Sequence, residues 1–264
     1  MFASDRPLVF GHRGGAKIGP ENTVLAFARA LAAGADGFEC DVRLSADGLP
    51  VVIHDPTLDR TTDRTGPVGA LTAEALARVD ATCHFQPGAP AYAATLVVGV
   101  PTLLSVLEQF PRARVIIELK DTREALARAV AGIVGALAAE DRVCVGSFNR
   151  AVLEMVRAIA PAIVTSASLP EAQRTLLRSW LPPLPRIGAA PYRALQVPER
   201  SGRVRVAQPA FVRQAHRDGA LVQVWTVDSP ADVDRLLGYG VDGIISDRPD
   251  LTVPARDAWV AAHP

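Results

Sequence analysis

Apolar residues in this chain fall into short runs separated by longer stretches with helical spacing, a pattern that predicts strands alternating with helices. The runs begin at Leu8, Phe38, Val115, Val143, Ile163, Ala194, Leu221 and Gly243. Between them the spacing predicts helices at 101–108, 123–139, 150–160, 171–180, 211–218 and 230–237. A helix ahead of these opens at Pro20-Glu21-Asn22-Thr23, with Asn22 or Thr23 as its cap. Val24, Leu25, Phe27, Ala28 and Leu31 form its apolar face, and Gly34 ends it. Eight short apolar strands, most followed by a helix, are what an α/β TIM (β/α)8 barrel requires. A doubly wound open sheet is the other arrangement, but no Gly-x-Gly-x-x-Gly follows the first strand. The tail is expected to add one short amphipathic piece at most.

One region breaks the alternation. From Pro56 to Pro101 the turn signals Thr61-Thr62, Gly66-Pro67, Pro87-Gly88 and Gly99 surround a single short helical stretch at Thr72–Val79. The chain is therefore expected to form one domain over 1–264, with a small insertion after the second strand at about 45–101 covering one end of the core.

Polar residues inside the apolar runs carry the chemistry. Strand side chains alternate faces, so Glu39 and Asp41 point one way while Phe38, Cys40 and Val42 point the other. Ala46-Asp47-Gly48 is a hairpin signal, and Val51-Val52-Ile53 running back would bring His54 near Asp41. Glu118 and Lys120 share a face of the Val115 strand by the same alternation. In a TIM barrel the functional end is where the strands finish, and His12, Arg13, Glu39, Asp41, Glu118, Lys120, Trp225 and Asp247 all fall there. Acids are depleted in strands, and burying two like charges requires a compensating cation or base. Glu39, Asp41 and Glu118 make an all-oxygen set suited to a hard divalent cation, Mg²⁺ or Ca²⁺. A buried ion pair of Glu118 with Lys120 or Arg13 is the plain structural alternative, but it leaves the other acids unpaired. Arg13 offers a bidentate fork to a phosphate and Lys120 a point charge. His12 and His54 beside the acids can act as general acid and base near neutral pH.

Composition narrows the partners. Lys+Arg and Asp+Glu both number 28, giving no net charge, which argues against a nucleic-acid binder or a polybasic membrane anchor. Hydrophobic residues make up 49% of the chain, enough for a large core. Cys40, Cys83 and Cys144 match neither a zinc spacing nor a disulfide framework, so a reducing, cytoplasmic compartment is expected. Met1 to Pro7 has no apolar stretch of signal-peptide type. The longest apolar run, Ala125 to Ala139, is too short to span a bilayer, so no stable membrane insertion is expected.

A set of short motifs occurs in order across residues 8–250. They are His12-Arg13-Gly14, Pro20-Glu21-Asn22-Thr23, Glu39-x-Asp41-Val42, His54-Asp55, Pro101-Thr102-Leu103, Glu118-Leu119-Lys120, Trp225-Thr226-Val227 and Gly243-Ile244-Ile245-Ser246-Asp247-Arg248-Pro249. Together they resemble the glycerophosphodiester phosphodiesterase family. The resemblance implies a TIM-barrel enzyme cleaving small-molecule glycerophosphodiesters to glycerol 3-phosphate and an alcohol. It implies His12 and His54 as the acid/base pair and Glu39, Asp41 and Glu118 as metal ligands. Arg13 and Lys120 would lie near the phosphate, with Trp225 in the substrate-binding set. Two positions depart from the pattern: Asp228 stands where many members have Asn after Trp-Thr-Val, and Leu104-Ser105 where acids are common. A lipid-acting relative such as a lysophospholipase D is the nearest alternative, and a non-catalytic metal- or ligand-binding barrel is a second. A Schiff-base lysine enzyme is a third, disfavoured because three acids would keep Lys120 protonated.

Overall fold

The computed structural model describes residues 4–85, 98–182 and 190–263. Eight parallel strands alternate with eight helices in it. The strands are β1 (Leu8–Gly11), β2 (Gly37–Leu44), β3 (Arg114–Leu119), β4 (Val143–Gly146), β5 (Val164–Thr165), β6 (Ala194–Pro198), β7 (Leu221–Trp225) and β8 (Gly243–Ser246). The helices that follow them are α1 (Val24–Ala32), α2 (Leu103–Gln109), α3 (Glu124–Ala136), α4 (Arg150–Ile159), α5 (Leu169–Ser179), α6 (Pro209–Arg217), α7 (Pro230–Leu237) and α8 (Pro249–Ala262). Each strand pairs with its chain neighbours, β8 returns to β1, and a single parallel bridge from Ser166 to Ala194 joins β5 to β6. The sheet is thus the expected (β/α)8 barrel.

Strand alternation divides the apolar residues between two sides of the sheet. Leu8, Phe10, Ile116, Cys144, Ala194 and Ile245 fill the barrel interior. Phe38, Cys40 and Val42 face outward, into a layer shared with Val115, Ile117, Val143, Val145 and the buried faces of the helices. Phe27 and Phe38 stack there with ring centroids 4.1 Å apart. Burying each such side chain contributes roughly 1.5–3 kcal/mol, and a second cluster around Leu195, Phe211, Val222 and Leu236 packs the other half of the barrel in the same way.

Thr23, not Asn22, caps α1: its side chain accepts the Ala26 N–H. The buried face of α1 is Ala26, Phe27 and Ala30, while Ala28 is exposed. Alanine is buried here because the helix lies very close to the loop after β1. A Cβ added at Gly14 (φ +84°) would stand 2.7 Å from the Ala26 Cβ, and one at Gly11 2.8 Å from that of Ala30. Size decided the face, where hydrophobicity alone favoured larger residues.

The insertion after β2 opens with the expected hairpin, Pro50–Val52 pairing antiparallel to β2 with Gly48 at φ +77°. Its helix is only Ala73–Leu76, capped by Thr72, where the spacing predicted 72–79. Val51, Ile53, Leu58, Val68, Ala73, Leu76 and Val79 give the insertion its own small core. The Pro87-Gly88 signal lies outside the described residues. The largest departure is the tail, which forms the 14-residue helix α8. Pro249 at its start and Pro254 inside masked the helical spacing, and its anchor is a charge: Arg256, 1% exposed, donates to Asp36 at 2.8 Å and to the Pro7 carbonyl at 3.0 Å. Asp36 also accepts from the Val9 N–H, so this pair ties α8 to the start of the barrel. Arg256→Met should cost about 3 kcal/mol in urea unfolding, because it leaves Asp36 buried with one cation fewer. A loss below about 1 kcal/mol would show that Arg6, 2.7 Å from Asp36, suffices alone.

Candidate active site

Where the strands finish, residues 12–15 turn sharply behind β1. Arg13 adopts the left-handed region (φ 51°), which a non-glycine residue reaches at some cost. That conformation lets its backbone N–H donate to Glu39 Oε2 at 2.9 Å. On β2, alternation directs Glu39 and Asp41 inward, and Asp41 stands beside Glu118 in the β2–β3 register. Ligand oxygens of Glu39, Asp41 and Glu118 all lie within 4.8 Å of one another.

Three like charges this close need compensation, and the surroundings supply part of it. Lys120 Nζ lies 3.1 Å from Asp41 Oδ1 and 3.0 Å from Glu118 Oε1. Arg13 Nε stands 3.4 Å from Asp41 Oδ2, and Asn22 Nδ2 donates to that same oxygen at 2.8 Å. Among the described residues Glu39 forms no ion pair, and its buried Oε1 has no hydrogen-bond partner. Burial, reinforced by the Asp41 charge, pushes the Glu39 carboxyl up to about 8. Burial also raises Glu118 against the pull of Lys120. Burial works against the Lys120 ammonium, but Asp41 and Glu118 outweigh it and hold it charged. An all-carboxylate cluster with an orphaned, electrostatically stressed oxygen fits a hard divalent cation.

A pH dependence follows. A carboxyl whose folded pKa is raised from 4.5 favours the fold below 4.5, and loses that contribution as pH rises toward 8. Glu118 acts in the same sense. His12 does too: burial lowers its pKa, but the hydrogen bond to Asp247 and the Glu39 charge outweigh this, giving a net rise above 6.5. Metal-free protein should therefore unfold at progressively lower urea between pH 5 and pH 8, and saturating Mg²⁺ should flatten the trend. A metal-free midpoint that climbs over this range would contradict it.

The two histidines are held alike. His12 Nδ1 meets Asp247 Oδ1 at 2.8 Å, and His54 Nδ1 meets Asp55 Oδ1 at 2.6 Å. Each ring is fixed through Nδ1, leaving Nε2 for chemistry. Asp247 is steadied in turn by Asp228, which accepts its backbone N–H and pairs with Lys17 at 2.6 Å. Asp55 is lowered to about 2, chiefly by its hydrogen bond to Arg60. Arg60 also grips Glu21, which receives Arg13 Nη1 at 2.9 Å, so a chain of ion pairs Arg13, Glu21, Arg60, Asp55 ends in the hydrogen bond to His54.

The pocket above is lined on one side by His12, Arg13, Glu39, His54, Glu118 and Lys120, with Asp41 buried behind them. Trp225 stands on the opposite wall with its ring edge-on to Phe148, centroids 6.2 Å apart. These eight residues and Asp247, all singled out in the sequence, thus meet at one end of the barrel.

A model of the glycerophosphoryl diester phosphodiesterase family matches residues 12–251. The chain belongs to this family. It is 33% identical over 94% of its length to a glycerophosphodiester phosphodiesterase of Caldanaerobacter subterraneus subsp. tengcongensis, covering 97% of that protein. A crystal structure of a glycerophosphodiester phosphodiesterase from Agrobacterium tumefaciens superposes with a TM-score of 0.77 at 31% identity, with 94% of this chain and 99% of that one covered. An Oleispira antarctica phosphodiesterase, solved in complex with the product sn-glycerol-3-phosphate, gives a TM-score of 0.74 at 26% identity, covering 96% of this chain and 97% of that one.

Against this glycerophosphodiester phosphodiesterase fold, the supporting residues are what sequence reasoning passed over. Asp247 was visible at the rim but without a partner. Asp55 adjoins His54 and could have been paired with it on proximity alone. Asn22 looked like a helix cap, and only its left-handed φ of 59° turns its amide onto Asp41. Arg60 gave no signal, since one of its two partners, Glu21, comes from a segment 39 residues earlier in the chain.

Proposed function

We propose that this protein hydrolyses glycerophosphodiesters to glycerol 3-phosphate and an alcohol, in a reaction dependent on a divalent cation. The observation that carries this reading is the cluster of Glu39, Asp41 and Glu118 flanked by two carboxylate-oriented histidines, in a chain of this family. Glu39, Asp41 and Glu118 would hold the cation, Mg²⁺ or Ca²⁺. When bound it supplies Lewis-acid stabilisation of the phosphodiester oxygens.

The chain's own groups account for the rest. Arg13 and Lys120 are held charged among the acids and would neutralise the phosphate as charge develops. His12 and His54 act as the proton-transfer pair. One takes a proton from the attacking oxygen, and the other gives a proton to the departing alcohol, each through its pocket-side nitrogen. Trp225 with Phe148 forms the wall against which the substrate's carbon skeleton lies.

Residues 1–264 are taken as one catalytic unit, with the segment at about 45–101 serving the site through Asp55 and Arg60. Among the described residues no helix is long and apolar enough to cross a membrane. That fits a small water-soluble diester as substrate, and the free Cys40, Cys83 and Cys144 fit a cytoplasmic setting. Incubation with glycerophosphocholine and Mg²⁺, followed by enzymatic assay of glycerol 3-phosphate, tests the reading directly. Failure to release it from any of several glycerophosphodiesters would overturn it.

A further inference from the structure

The pocket has two unlike sides. Its charged side comes from β1, β2, β3 and the residues just after them. Its other side, from β4 to β7, is neutral, with Ser147, Ser166, Ser168 and Gln196 as polar residues among apolar ones.

At the floor of the neutral side a gap opens over Gly146. A Cβ built there would stand 3.1 Å from Gln196 Oε1 and 3.1 Å from Ser166 Oγ. Two polar atoms therefore converge on one point that only a glycine leaves open. The Gln196 amide is fixed, because its Nε2 donates to Gln223 Oε1 at 3.0 Å, and Gln223 is itself 1% exposed. That bond leaves Oε1 toward the gap. Among the described residues neither Gln196 Oε1 nor Ser166 Oγ has a hydrogen-bond partner. Neither atom is sealed away from the pocket, so both are open to a ligand that takes the place of water there. The gap adjoins the reacting centre: Gly146 is the register partner of Glu118, about 4.8 Å away across the sheet.

We propose that Gln196 and Ser166, with the space left by Gly146, recognise the hydroxyl groups of the substrate's glycerol moiety. The assignment rests on the glycerophosphodiesterase reading. A hydroxyl donates to Gln196 Oε1 and another exchanges a hydrogen bond with Ser166 Oγ, which can donate or accept. Glycerol is favoured over the departing alcohol because every substrate under that reading contains it, whereas alcohols such as choline carry no further hydroxyl. Sites that hydrogen-bond a substrate hydroxyl reject analogues lacking it far better than apolar pockets discriminate by size.

Calorimetry in saturating Mg²⁺ tests this without turnover. The intact protein should bind sn-glycerol 3-phosphate about 10-fold or more tighter than n-propyl phosphate, which lacks both hydroxyls. Gln196→Leu and Ser166→Ala should each shrink that ratio several-fold and leave propyl phosphate affinity unchanged. Gly146→Ala, whose backbone is not left-handed, should shrink it by filling the gap. Should Gln196→Leu fail to fold, the other two variants carry the test. In turnover, the variants should lose kcat/KM on glycerophosphocholine and glycerophosphoglycerol alike, and keep it on bis(4-nitrophenyl) phosphate. An unchanged binding ratio in all folded variants overturns the assignment. A loss confined to glycerophosphoglycerol also overturns it, by moving the departing alcohol into the gap. A wild-type protein inactive on every glycerophosphodiester, yet with variants that lose the binding ratio, would overturn the proposed reaction and leave this site standing.

Discussion

His12→Ala and His54→Ala should each lower kcat on glycerophosphocholine by about 10²–10⁴-fold, the range that general acid–base catalysis supplies. Metal affinity should stay close to wild type, because neither imidazole belongs to the carboxylate cluster. The double variant should cost much less than the product of the single losses, since the two groups serve one transfer of protons. A nitrophenolate leaving group departs without protonation, so a nitrophenyl diester should rescue only the variant lacking the general acid. That comparison assigns the two roles. Near-normal rates in both single variants would remove the histidines from the chemistry.

Chelation should abolish activity, and Mg²⁺ or Ca²⁺ should restore it. Glu39→Gln should give the same loss permanently, because a neutral amide cannot replace an anionic ligand. The same change should stabilise the metal-free protein at pH 8, where the native carboxylate must ionise in a buried site and forms no ion pair among the described residues. Activity and metal-free stability are thus expected to move in opposite directions. Glu118→Gln should lose metal affinity with less gain in stability, since Lys120 already stands beside Glu118. Full turnover in excess EDTA, on protein shown to be metal-free, would exclude a catalytic cation.

The barrel was legible because its strands are short, apolar and evenly spaced, and strand alternation alone brought Glu39, Asp41, Glu118 and Lys120 to one side. The tail was not, since prolines at 249 and 254 broke the helical spacing and Arg256 is buried by its pairing with Asp36. The α1 face was misjudged at Ala28 for a related reason. Glycines at the end of β1 and in the turn after it decided which alanines lie inside. What sequence could not give was the support around the reactive groups. Arg60, Glu21 and Asp55 are ordinary surface residues by pattern, and only loop geometry makes them one chain of contacts.

Because the strands follow one another around the barrel in chain order, the two sides of the pocket are also two portions of the polypeptide. Acids, cations and histidines arise before residue 121, and the neutral wall arises from Gly146 to Trp225. From the end of the chain, Asp247 steadies His12 and Ile245 joins the pocket lining. A chimera that keeps residues 1–120 and 226–264, so that Asp228 stays with Asp247 and Lys17, and borrows the intervening strands from a relative, should therefore inherit the donor's substrate range with this protein's own reaction. Selectivity and reactivity occupy separable stretches of one chain, so each can diverge with little disturbance to the other.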